Sequence, residues 1–129
     1  LRRQTLLTVA WREHPDAPAA GTALLALEDI PEGEGRERRF GAGHTALAVV
    51  VVRKDGQVHG YVNACPHQWV ALNDQPDRFT TFDHEWIVCA THGAVFRYED
   101  GFCEDGPCAG KSLEAVPVQV VDGVVRVAG

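Results

Sequence analysis

Two short segments constrain this chain more than any others: Cys65-Pro66-His67 and Cys89-Ala90-Thr91-His92. Each sets a thiol and an imidazole within four positions. Each also follows a β-prone run, Gly60 to Ala64 in the first case and Trp86-Ile87-Val88 in the second. Thiolates and imidazoles are transition-metal ligands. A fold that uses all four must bring two strand-ended loops to one point.

The rest of the chain supplies strands to carry such loops. Residues 45–53 are a long, β-branched apolar run, followed by Lys54-Asp55-Gly56, where Asp-Gly supplies the positive φ angles of a hairpin. Residues 57–63 read as the returning strand. Residues 22–27, 85–89 and 94–98 are further strand candidates, with a hairpin turn at Glu99-Asp100-Gly101. Residues 113–121 and 124–127 form a last pair around Asp122-Gly123, with Pro117 marking an edge or a bulge. Residues 30–35 are turn-like, 36–39 a charged, solvated edge, and 73–83 a polar loop. Helical periodicity is weak and no repeat or linker is evident. Many short strands with glycine-containing turns predict an all-β protein, a sandwich or barrel, as one domain over residues 1–129.

Composition narrows the partners. The net charge is −6, with −1 over residues 1–43 and −5 over residues 44–129. An acidic C-terminal part argues against nucleic acid, whose phosphates demand clustered Lys and Arg. It fits docking on a basic protein surface, though acidic surfaces more often mean only solubility. No run approaches the roughly 18 apolar residues of a membrane span, and the segment after Arg2-Arg3 does not read as a secretory signal. The expectation is a cytoplasmic protein without membrane contact. In that setting four cysteines suit ligands better than a disulfide framework.

Several metals accept two thiolates and two imidazoles. Zinc takes such a set tetrahedrally, but usual fingers place the cysteines in one pair and the histidines in the other. Here both pairs are mixed, which suits a two-metal cluster with the thiolates on one iron and the imidazoles on the other. A structural zinc or redox-sensing module stays open as the alternative.

The C-x-H…C-x-x-H pattern with Gly93 after the last histidine resembles the Rieske iron–sulfur proteins. The likeness runs from about Thr45 to the C-terminus, through Tyr61 to His67, WIVCATHGAVF from Trp86, and GFCEDGPCAGKSL from Gly101. It is similar to the bacterial Rieske-type ferredoxins. Residues 1–40 carry no such signal. The resemblance implies a Rieske-like antiparallel β-sandwich with a small cluster-binding subdomain at about residues 63–98. It also implies one [2Fe-2S] cluster on Cys65, His67, Cys89 and His92, with both histidines near solvent. The implied role is a one-electron carrier rather than an enzyme, taking electrons from a flavoprotein reductase and passing them to a terminal oxygenase. Family oxygenases append a mononuclear-iron domain, for which the 37 residues after His92 leave no room in this chain.

Two departures matter. Twenty-one residues separate His67 from Cys89, a few more than in compact ferredoxins, and the surplus falls in 73–83. High-potential relatives add a loop-bridging disulfide, a serine two positions after the last histidine and a tyrosine two further on. Here Val70 and Ala90 stand where those cysteines would be, and Ala94 and Phe96 where the hydroxyls would be. Neither Ala94 nor Phe96 can donate to a cluster sulfur. The expected potential is therefore low for the family, about −150 to 0 mV.

Cys103 and Cys108 read foremost as two small residues packing a turn, with a local disulfide or second metal site as the alternatives. His14, His44, His59 and His84 lack paired ligands and read as surface residues. Trp11, Trp69 and Trp86 read as packing residues, with shielding of the cluster from solvent as the alternative for Trp69.

Overall fold

Residues 11–66 and 70–129 are described by the computed structural model. Their strands, in chain order, are β1 (Ala23–Ala26), β2 (Gly35–Phe40), β3 (Leu47–Lys54), β4 (Gln57–Val62) and β5 (Ile87–Val88). Then follow β6 (Val95–Phe96), β7 (Cys103–Asp105), β8 (Ala115–Val116), β9 (Val118–Val121) and β10 (Val124–Val127). They form three antiparallel sheets ordered β1-β10-β9, β2-β3-β4-β8 and β5-β6-β7. The only helical pieces among the described residues are three-residue 3₁₀ turns, so the all-β expectation holds. No helix among them is long and apolar enough to cross a membrane.

The valine run in β3 explains the layering. Successive side chains on a strand point to opposite faces. Val49 and Val51 join Leu24, Ile30, Val116, Val125 and Val127, the core shared with the β1-β10-β9 sheet. Val50 and Val52 join Phe79, Ile87, Phe96 and Tyr98, the core shared with the β5-β6-β7 sheet. Four consecutive valines are thus fully buried because β3 is covered on both sides.

Turn chemistry sets the register of two hairpins. Asp55 and Gly56 have φ of 52° and 79° between the paired Lys54 and Gln57, and Asp122 and Gly123 have 50° and 78° between Val121 and Val124. Positive φ at both central residues is the I′ geometry that Asp-Gly favours. The Glu32 carboxylate accepts the N–H groups of Asp55 and Gly56, and those bonds hold its pKa below the usual value.

Elsewhere the structure departs from the pattern reading. The strand expected over 113–121 is two strands, β8 pairing with β4 and β9 with β10, and the chain changes sheet at Pro117. Proline has no N–H for either ladder, but its carbonyl accepts Ala128 N–H at 2.8 Å. The strands expected over 85–89 and 94–98 shrink to β5 and β6, because the backbone between them is committed to a loop. Cys103–Asp105, read as part of a turn, pairs with β6 as β7. The charged run 36–39 lies in β2, an edge strand paired with β3 along its whole length. The polar loop 73–83 holds no strand, yet Phe79 is fully buried and its carbonyl accepts Val88 N–H at 2.9 Å. The loop thus closes one side of the small sheet.

Candidate metal centre

The first loop leaves β4 through Asn63, the one buried polar residue among those described. Asn63 N–H donates to the Ala48 carbonyl (2.8 Å) and its Oδ1 accepts Leu72 N–H (2.7 Å). Its Nδ2 donates to Glu37 Oε2 (2.8 Å) and Asn73 Oδ1 (2.9 Å). One side chain therefore clamps both ends of the loop and leaves none of its own polar groups unpaired, as burial demands. Cys65 N–H donates to the Val70 carbonyl at 2.7 Å, turning the loop back on itself, and the Cys65 side chain is fully buried. His67, Gln68 and Trp69 lie outside the described residues, so the expected ligand role of His67 and the packing role of Trp69 fall there.

The second loop follows β5. Cys89 N–H donates to the Ala94 carbonyl (2.9 Å) and Gly93 N–H to the Cys89 carbonyl (2.8 Å), closing a tight turn. Gly93, at φ 74°, supplies the left-handed residue that the turn needs. Cys89 is fully buried and His92 is half-buried on the same turn. The Ala90 N–H donates to the Leu72 carbonyl at 2.8 Å, so the second loop is fastened to the end of the first. Cys65 and Cys89 share one buried cluster with Ala94, Phe96, Cys103 and Cys108. Among the described residues, no three His, Cys, Asp or Glu side chains gather around a single point as an ion site.

A third segment, β7 and the turn after it, packs against the second loop. Gly106 has φ 112°, and a Cβ there would fall 2.6 Å from the Ala94 Cα, so only glycine permits this approach. Cys103 and Cys108 are both buried, with their sulfurs 3.2 Å apart. Burial first, then Cys103 and Cys65, pushes the Cys108 thiol up to about 12.

Around these loops lies a groove of about 270 Å³ lined by Asp74, Arg78, Thr81, Phe82, Val88 and Ala90. Phe82 is 91% exposed, with the Arg78 guanidinium 5.7 Å from its ring centre, and Val70 beside the first loop is also exposed. His14 and His84 serve structure instead of ligation: His14 Nε2 bonds the Thr45 carbonyl and His84 Nδ1 the Gly33 carbonyl. Burial lowers the pKa of His59, against the raising influence of Glu99. Trp11 is buried and Trp86 half-buried, as packing residues should be. Sequence reasoning missed Asn63; its only signal was a polar residue at a strand end, which also fits an ordinary loop.

Known proteins place the chain. Residues 22–122 match the model of the Rieske [2Fe-2S] domain. No curated protein sequence matches. Among solved structures, one similar chain belongs to a complex of reduced oxygenase and oxidized ferredoxin in carbazole 1,9a-dioxygenase. It is 25% identical with a TM-score of 0.66, over 87% of this chain and 95% of that one. The ferredoxin of carbazole 1,9a-dioxygenase from Nocardioides aromaticivorans IC177 is 20% identical with a TM-score of 0.66, over 85% and 98%. A chain of the reduced complex between oxygenase and ferredoxin in carbazole 1,9a-dioxygenase is 24% identical with a TM-score of 0.66. There the match covers 84% of this chain but spans only 29% of the other. With the domain model matched over most of its length, the chain belongs to the Rieske [2Fe-2S] family.

Proposed function

We propose that this protein is a one-electron carrier that takes electrons from a flavoprotein reductase and passes them to an oxygenase. Cys65, His67, Cys89 and His92 would hold the family's one [2Fe-2S] cluster. The observation that carries the reading is the pair of fully buried cysteines on two loops tied together through Leu72 and Ala90. The donors suit the group. Two buried thiols can serve one iron as thiolates, and the half-buried His92 can serve the other nearer solvent.

When bound, the cluster supplies reversible one-electron chemistry. The chain's part is to hold the site rigid and to present its edge. Asn63 and the Ala90–Leu72 bond fix the two loops, so that little rearrangement accompanies a change of charge. The turn from Cys89 to Ala94 keeps sulfur inside while His92 reaches toward the surface, where a partner can approach. Exposed Phe82 and Val70 offer apolar contact near these loops. The likeness to chains from ferredoxin–oxygenase complexes supports an oxygenase as acceptor.

The test is analytical and then kinetic. Purified protein should contain two irons and two acid-labile sulfides per chain, be red-brown, and give an electron-spin signal only when reduced. Cys89→Ser should lose the colour. Stopped-flow mixing of the reduced protein with a Rieske-type oxygenase should show oxidation of the carrier. A colourless protein holding one zinc would overturn the reading.

A further inference from the structure

We propose that Cys103 and Cys108 are a dithiol–disulfide couple, a second redox site beside the proposed cluster ligands. The two sulfurs lie 3.2 Å apart inside the buried core, and both thiols are free. The backbone already holds the geometry of a closed loop. Cys103 N–H donates to the Lys111 carbonyl (2.8 Å), Gly110 N–H to the Cys103 carbonyl (3.2 Å), and Lys111 N–H to the Cys108 carbonyl (2.9 Å). Bringing the sulfurs to bonding distance requires them to close by roughly 1.2 Å, given a bond of about 2.05 Å.

Only four residues separate the cysteines, so the bond adds less loop-closure entropy than a long-range staple would. Its consequence is chemical, since it converts two thiols of the buried cluster that holds Cys65 into a group with no S–H donor. The four residues that join them, Glu104, Asp105, Gly106 and Pro107, are all exposed, so an oxidant reaches the buried sulfurs from this side of the fold.

The oxidant class is a small disulfide such as oxidised glutathione. One cysteine thiolate attacks it, forming a mixed disulfide and expelling one glutathione thiolate. The second cysteine then attacks the protein sulfur of that mixed disulfide and expels the other glutathione. Two S–H bonds are lost, one S–S bond forms, and two electrons and two protons end on two glutathione molecules.

The cluster-loaded full chain is equilibrated in glutathione buffers of graded ratio, starting both from reduced protein and from protein pre-oxidised with diamide. Samples are acid-quenched, alkylated while denatured, and peptide-mapped. The peptide carrying Cys103 and Cys108 should pass from two alkyl adducts to none, with the same ratio dependence from both directions. Cys103→Ser and Cys108→Ser should never yield the internal bond, retaining one adduct or carrying glutathione. Two adducts persisting at the most oxidising ratio and after diamide would overturn the proposal. So would a map that joins either cysteine to a different partner. Iron and sulfide are assayed on the same samples. A chain without them that still closes this bond sinks the electron-carrier reading and leaves this one standing.

Discussion

Asn63 shows how much a single side chain can hold. Its Oδ1 is the partner of Leu72 N–H, and its Nδ2 spans Glu37 and Asn73. Asn63→Ala strips a buried N–H of its acceptor, a loss worth about 1–3 kcal/mol. Chemical unfolding should report that loss, and the variant should be purified with less iron per chain because the first loop is unclamped. Unchanged iron together with unchanged stability would remove Asn63 from the site. Ala94 and Phe96 argue the opposite way, through what they lack. Both are fully buried and neither carries a hydroxyl, so no side-chain O–H from these positions stabilises the more negative reduced state. Redox titration should place the midpoint at about −150 to 0 mV, and a value above roughly +200 mV would refute the assignment.

Among the elements, the bridge between the start of the described chain and β8 depends on one carboxylate. Glu114 Oε2 accepts Trp11 N–H at 2.6 Å, while its own carbonyl accepts Val62 N–H at 2.9 Å. Burial raises its pKa above 4.5, only partly offset by the Trp11 bond. A carboxyl whose folded pKa is raised binds its proton more tightly when folded. Its contribution is therefore fully present below the unfolded pKa and is lost as pH rises through the folded one. Glu114→Gln keeps an acceptor for Trp11 and removes the charge. The variant should match the parent at about pH 3.5, below the unfolded pKa, and exceed it in urea midpoint at pH 7; a gap of the same size at both values would refute the assignment. At this scale the sequence was legible where turn residues dictate geometry, as at Asp55-Gly56 and Asp122-Gly123, and where Cys65 and Cys89 stand just after strands, on loops. It was not legible where tertiary pairing decides. Pro117 announced an irregularity but not a change of sheet, and Cys103–Asp105 becomes a strand only because β6 lies beside it. The closeness of Cys103 to Cys108 likewise depends on backbone bonds that spacing does not reveal.

Over the whole molecule, β3 joins two cores that do different work. Val51 faces the sandwich core with Val125 and Val127, whereas Val50 faces the core that contains Cys65 and Cys89. Both are fully buried, so truncating either to alanine removes similar apolar contact and leaves a similar void, a cost of about 2 kcal/mol. Equal cost need not mean equal effect on the site. A void beside Val50 adjoins the packing of Phe79, Phe96, Cys65 and Cys89, and a void beside Val51 lies across the sheet from them. Val50→Ala should therefore alter the visible circular dichroism of the cluster and hasten its loss on dilution into chelator. Val51→Ala, matched for urea midpoint, should leave both near the parent values. If the two variants disturb the spectrum alike, the cores are not separable, and the loops draw their rigidity from the stability of the whole fold instead of from the face of β3 that they cover.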